Sequence, residues 1–224
     1  ALKAASDASH ILTHLSGNVA GELKIAASQT IANYWLPKKL AKFQTIYPEI
    51  KLRVSISNTV GVESSLINDL AQIGLIEGNT SNGLLEISHV EYDQPMLVVA
   101  KDKYPQFNLP ITRVAIEQIP WVVREPGSGT RAILETLLET QKISWNNINV
   151  ALELPSNEAI RQAVEAGAGF TIISKYVVDA SINNGTLTTA PLQIPKRSFQ
   201  LVSKKDQERT DAHKAFTNFL KVSP

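Results

Sequence analysis

Eight consecutive residues, Arg124-Glu125-Pro126-Gly127-Ser128-Gly129-Thr130-Arg131, bring two glycines, two hydroxyls and three ionisable side chains into one stretch. Before it, Trp121-Val122-Val123 reads as a strand; after it, Ile133, Leu134, Leu137 and Leu138 share one helical face. The stretch is therefore a strand-to-helix junction. Glycines allow a tight turn and close approach of the backbone to a ligand. Hydroxyls and N–H groups at a helix start can hold an anion, helped by the helix dipole. A capped turn explains the same residues equally well.

Three further junctions share this chemistry: Ser28-Gln29-Thr30, Ser57-Asn58-Thr59 and Ser156-Asn157. Singly, each reads as an ordinary helix cap. In open α/β sheets, however, ligands bind outside the carboxyl ends of the strands. Together the four would line a cleft between two halves with hydroxyls, amides and helix N-termini. That suits a small anion or carboxylate held by hydrogen bonds more than by charge. The candidate ligand residues of these junctions are thus Ser28, Gln29, Thr30, Asn58, Thr59, Ser128, Gly129, Thr130, Ser156 and Asn157, with Arg124 and Glu125 the ionisable residues immediately beside them. Arg124 either completes the anion site or pairs with Glu125, and the residues leave both open.

Other chemistry finds little support. The chain has no cysteine, which removes disulfides, thiolate metal sites and thiol catalysis and fits a cytosolic protein. His10 and His14 stand at i, i+4 spacing without a third ligand, so a solvated helix face is expected and no metal site. There is no Gly-x-Ser-x-Gly elbow, no phosphate-binding Gly-x-x-x-x-Gly-Lys loop and no dinucleotide fingerprint. No catalytic set and no cofactor are expected. A net charge of +1 points to no nucleic-acid or membrane face, and no apolar run is long enough to span a membrane. The start of the sequence lacks both Met and the apolar core of a signal peptide, as expected of a piece of a longer chain.

The elements that must position these residues alternate in type. Leu2, Ala5, Ala8, Ile11, Leu12 and Leu15 form one stripe of a helix ending near Ser16-Gly17-Asn18. Strands are expected at Leu23–Ala27, Lys51–Ile56, Ile73–Ile76, within 86–100, at Asn149–Leu154, Phe170–Ile173 and Phe199–Val202. Helices are expected to bury Leu36, Leu40 and Phe43; Val62, Leu66 and Leu70; Ile160, Ala163 and Val164; and Ala215, Phe216 and Leu220. Pro37 marks a break near its helix start, and Asp93-Gln94-Pro95 a bend where a long strand could cross between subdomains. This is an α/β chain with mainly parallel sheets, in two similar halves.

The order and spacing of several motifs resemble the effector-binding domain of LysR-type transcriptional regulators. They are Gly21-Glu22-Leu23-Lys24-Ile25-Ala26-Ala27-Ser28; Leu36-Pro37 with Phe43 and Tyr47-Pro48; Ile73-Gly74-Leu75-Ile76-Glu77-Gly78; Arg124 to Arg131; and Ser156-Asn157-Glu158-Ala159-Ile160 with Val164 to Gly169. The Arg-Glu-x-Gly-Ser-Gly-Thr-Arg version looks most like the branch of sulfur and carbon-fixation regulators. The resemblance implies a fold like type II periplasmic binding proteins, two Rossmann-like subdomains joined by two crossover strands. Residues 1–18 would end a linker helix, 19–92 with 197–224 form subdomain I, and 93–196 form subdomain II. It implies a small anionic effector in the cleft, an oxyanion such as sulfite or sulfate or a small organic acid. Ser28, Thr30 and Asn58 or Thr59 would contact it from one side, and Arg124, Glu125, Ser128 to Thr130, Ser156 and Asn157 from the other. Its implied partners are a second copy (with tetramers open for the full-length protein), DNA through an N-terminal winged helix-turn-helix domain outside this sequence, and RNA polymerase; the setting is cytoplasmic. One departure is Gln72, where the family usually carries Asp. The rival is a periplasmic solute-binding protein of an ABC transporter, on the same fold. Enzymes of this fold fit less well, since a porphobilinogen deaminase needs a cysteine and a prephenate dehydratase a Thr-Arg-Phe motif.

Overall fold

The computed structural model describes residues 19–78, 80–103 and 111–222; the expected helix over residues 1 to about 16, with His10 and His14, lies outside them. The described elements run β1 (Gly21–Ser28), a π-helical turn (Ile31–Trp35), α1 (Leu36–Ile46), β2 (Ile50–Ser57), α2 (Thr59–Ile67), β3 (Ile73–Glu77) and β4 (Leu85–Asp93). Then come β5 (Pro95–Ala100), α3 (Arg113–Gln118), β6 (Pro120–Arg124), α4 (Gly129–Thr140), a 3-10 turn (Trp145–Asn147), β7 (Asn149–Leu154) and α5 (Asn157–Glu165). The chain closes with β8 (Phe170–Ser174), α6 (Lys175–Asn183), β9 (Leu187–Thr189), β10 (Arg197–Lys204) and α7 (Asp211–Val222).

These cluster into two compact units: one runs to Ser57, resumes over Gly61–Val90 and again from Phe199, and the other holds Asn58–Val60 and Glu91–Ser198. Each has a five-stranded sheet, ordered β2-β1-β3-β10-β4 in the first and β7-β6-β8-β5-β9 in the second. The sheets are mixed, not mainly parallel. β1 runs parallel to β2 and β3, but β10 pairs antiparallel with β3. β6 runs parallel to β7 and β8, but β5 is antiparallel to both β8 and β9. A strand that re-enters a sheet after crossing between units can arrive in either direction, and local periodicity carries no trace of which.

In the first unit Leu23, Ile25 and Ala27 put one face of β1 into a core with Ile73, Leu75, Phe199 and Leu201. Phe43 of α1 joins α7 to this core. Its ring lies 5.0 Å from Phe216 and 5.3 Å from Phe219, both edge-on, the arrangement aromatic quadrupoles favour. On the other face α2 lies directly on β3, for a Cβ at Gly74 would stand 2.8 Å from Leu66 and 2.9 Å from Val62. Leu70 does not share that face. It follows the helix end, where Asp69 turns left-handed at φ 56°, and is exposed. Gln72 replaces a backbone partner: its N–H donates to Lys24 O, and its Oε1 accepts from Lys24 N at 3.0 Å.

In the second unit Trp121, Val123, Leu97, Val99, Phe170 and Ile172 meet Leu134 and Leu138 of α4. Trp121 is fully buried and its indole N–H donates to Ile116 O at 2.8 Å, closing α3 onto β6. α6 and β9 occupy a stretch for which the sequence suggested no element. Val177-Val178 continue the apolar run of β8, so the helix start shows only in Ser174, whose Oγ accepts from Tyr176 N. The outermost parallel strand of each sheet, β2 and β7, is largely exposed on both faces.

Candidate functional site

All four hydroxyl-bearing junctions follow the carboxyl ends of parallel strands. β1 ends at Ser28 and β2 at Ser57, which are direct register partners, so those two junctions lie side by side in the first sheet. In the second sheet β6 and β7 are parallel neighbours, and α4 and α5 start beyond their ends. Sequence-adjacent strand ends have thus become spatial neighbours within each unit.

The serines differ in what they do. Ser128 and Ser156 are N-caps, their Oγ atoms accepting from Thr130 N at 3.2 Å and Ala159 N at 3.4 Å. The capped-turn explanation therefore holds at both, while each hydroxyl keeps its proton to donate. Ser28 is different. It is 1% exposed, its Oγ has no hydrogen-bond partner, and no side chain caps the helix that follows. Thr59 Oγ1 is also buried without a partner. Thr30 is fully buried, whereas Gln29 and Asn58 are half-buried.

Arg124 is 2% exposed and engaged on three sides. Its Nε donates to Glu125 Oε2 at 2.7 Å, Nη2 to Glu125 Oε1 at 2.9 Å, and Nη1 to Asn157 Oδ1 at 2.5 Å. Between the two readings of Arg124, pairing with Glu125 is the one the geometry displays. Burial pushes the Glu125 carboxyl up, but hydrogen bonds from Arg124 and its own backbone, the Arg124 charge, and the Asn58 amide at 3.1 Å together hold it below its ordinary value. Asn157 Oδ1 also accepts from Thr130 Oγ1 at 3.4 Å, so Arg124, Glu125, Asn58, Thr130 and Asn157 form one connected set. Gly127 has to be glycine: φ is 83°, and a Cβ would stand 2.9 Å from Val60.

Arg131, the other cation of the motif, bonds a backbone oxygen of this set and otherwise engages side chains outside it. It donates to Glu135, Glu153 and Arg124 O, and its guanidinium stacks 4.1 Å over Trp145. Two further residues support the site without any sequence signal. Arg197 donates to Gly129 O at 3.1 Å and to Asp93 Oδ2 at 2.7 Å, and Ser174 Oγ donates to Asp93 Oδ1 at 2.6 Å. Asp93 and Arg197 are separated by 104 positions, beyond any local pattern.

An open groove of about 820 Å³ runs elsewhere on the second unit, between Gln94–Leu97 and Thr189–Pro195. None of the junction residues lines it. Gln94 Nε2 bridges Pro95 O and Ile194 O there, tying the start of β5 to the proline-bracketed segment after β9. Among the described residues, no group of acids and histidines could hold a metal ion, and no helix is long and apolar enough to cross a membrane.

A profile of the LysR substrate binding domain matches residues 16–223. Similar curated proteins are the HTH-type transcriptional regulator CysL of Bacillus subtilis, 32% identical over 91% of this chain and 68% of its own length, and an HTH-type transcriptional regulator, YeiE, of Escherichia coli, 29% identical over 89% and 67%. The chain thus spans about two thirds of these relatives. The regulatory domain of Synechocystis CcmR, solved in complex with 2-PG, superposes with a TM-score of 0.79 at 23% identity, over 90% of this chain and 96% of that one. That likeness shows the fold, two mixed sheets with flanking helices as in type II periplasmic binding proteins. The chain belongs to the LysR substrate binding domain family, the ligand-sensing part of LysR-type transcriptional regulators.

Proposed function

We propose that this domain senses a small anion, an oxyanion such as sulfite or sulfate or a small organic acid. Its ligand set comprises Ser28, Gln29, Thr30, Asn58 and Thr59 together with Arg124, Glu125, Ser128, Gly129, Thr130, Ser156 and Asn157. The observation that carries the reading is Ser28: a hydroxyl 1% exposed, at the carboxyl end of a parallel strand, with nothing to bond. An unsatisfied buried polar group costs about 1–3 kcal/mol, which an anion accepting its proton would return. Capped hydroxyls at Ser128 and Ser156, each with a proton to donate, support the same ligand class. The chemistry is binding, and no catalytic role is proposed for any of these residues.

In the whole protein, effector binding then changes affinity for DNA and DNA changes affinity for effector by the same factor. DNA would be held by a winged helix-turn-helix segment, in keeping with the HTH-type names of CysL and YeiE. A homodimer in the cytoplasm, able to contact RNA polymerase, is the accompanying assembly. Exposed aliphatic side chains on the outermost strands, Val54 and Ile56 on β2 and Val150 and Leu152 on β7, support a second copy as cover.

Titration calorimetry with sulfite, sulfate and a panel of carboxylates tests the site. Binding should weaken in Ser28→Ala and in Thr130→Ala. Equal affinity in wild type and both variants would remove the assignment.

A further inference from the structure

Glu91–Ser198 is the long segment of the second unit, so the chain enters that unit just before Asp93 and leaves it just after Arg197. The two passages are joined side by side. Arg197 Nε donates to Asp93 Oδ2 at 2.7 Å, and Gln94 Nε2 donates to Ile194 O at 3.0 Å. Asp93 is fully buried and the Arg197 side chain is 8% exposed. Protein groups, and not bulk water, must therefore compensate both charges.

Each member of this ion pair goes on to a helix start. Asp93 Oδ1 accepts from Ser174 Oγ at 2.6 Å, and the same hydroxyl oxygen accepts from Tyr176 N at 3.1 Å in the first turn of α6. Arg197 Nη1 donates to Gly129 O at 3.1 Å, on the first residue of the twelve-residue α4. In an α-helix that carbonyl accepts the N–H four residues on. A second donor from outside is not needed to form the helix, and what it adds is a fixed direction for the first turn. Ser128 and Thr130, on either side of Gly129, are bonded to each other through Thr130 N and Ser128 Oγ at 3.2 Å, so holding Gly129 holds both.

Resting on the anion-site reading above, we infer that Arg197 is a positioning residue of that site. It acts through Gly129 and not on the ligand. Its guanidinium holds the Gly129 carbonyl, so that Ser128, Gly129 and Thr130 present their donors in one direction before an anion arrives. Asp93 has a different part, compensating the buried guanidinium, and contributes to stability instead of to ligand affinity. Groups fixed in advance lose less freedom on binding, and loosening such a support costs about tenfold or more in affinity.

Four proteins separate positioning from plain stability: wild type, Arg197→Met, Asp93→Asn and the double variant Asp93→Asn/Arg197→Met. Titration calorimetry with sulfate, phosphate and glycolate, below the lowest thermal midpoint of the four, reads affinity. Arg197→Met should weaken every anion that wild type binds by about tenfold or more. Asp93→Asn loses the same ion pair but keeps the donor to Gly129 O and removes a negative charge, so affinity should hold or rise. The double variant regains stability by removing both charges, yet Gly129 O still lacks its outside donor. Its affinity should therefore stay as weak as in Arg197→Met, and it carries the test if the single variant does not fold. Affinity that follows stability through the four proteins, or full affinity in the double variant, overturns the inference. Thr130→Ala separates the two levels. If it weakens binding and the double variant does not, only the role of Arg197 falls. If it changes nothing, or if wild type binds none of the three anions, the anion site falls with it.

Discussion

Removing the Arg197 guanidinium should cost the second unit far more than a surface ion pair would. Asp93 is fully buried and the Arg197 side chain is 8% exposed, so neither charge is solvated by water. In Arg197→Met the Asp93 carboxylate keeps one partner, the Ser174 hydroxyl at 2.6 Å. Breaking a buried pair in this way typically costs about 3–5 kcal/mol, because a charge is left without compensation. Gly129 O also loses a donor, worth about 1 kcal/mol more. For a chain of this size roughly 2–4 °C accompanies each kcal/mol, so Tm should fall by about 8–24 °C. Asp93→Asn should behave similarly, leaving the cation buried instead. The double variant Asp93→Asn/Arg197→Met removes both charges and should recover about half or more of the summed loss. Circular dichroism with thermal and urea unfolding measures all four proteins. A single-variant loss under about 1 kcal/mol, or strict additivity in the double variant, would refute the reasoning.

Two other outcomes are expected. Gly169→Ala should be severely destabilising, by about 3 kcal/mol or more, because φ is 148° and the new Cβ would stand 2.2 Å from Pro120 O; Gly83→Ala, with nothing within 4 Å, should shift Tm little. His213 is 2% exposed, and burial, then repulsion from Arg209, push its imidazole below the ordinary value of 6.5, against a weaker pull from Glu86. Its neutral form is native, so stability is intact above pH 6.5 and falls below it as the unfolded chain takes up the proton first. Urea midpoints measured from pH 7.5 to 5 should therefore decline less steeply in His213→Leu than in wild type.

Local residues carried most of the fold. Strands that are apolar on both faces, such as β3 and β8, and helix faces such as Ile160 and Val164 are written in periodicity alone. Strand direction is not, since β5 and β10 reverse only because of where the chain re-enters each sheet. In the site, the hydroxyl junctions were legible because a cap and an anion ligand need the same residue types. What each hydroxyl does was not: Ser128 caps and Ser28 does not, although both precede a helix in similar contexts. The pairing of Arg124 with its own neighbour could be named from sequence, but its burial and its third bond, to Asn157, could not. Asp93 and Arg197 lay beyond reach as partners, because nothing local marks two residues that stand 104 positions apart, near the two ends of the long segment that builds the second unit.

The place of β10 in the first sheet also orders events during synthesis. It lies between β3 and β4, so until Arg197–Lys204 is made those two strands have no neighbour to join them, and β3 keeps an open edge. The second unit, continuous apart from Asn58–Val60, is complete by Ser198. At about 5–20 residues per second, the wait between β4 and β10 lasts roughly 5–20 s. The unit begun first is therefore finished last, and for that interval the nascent chain carries an exposed apolar strand edge, the feature that chaperones and aggregation compete for.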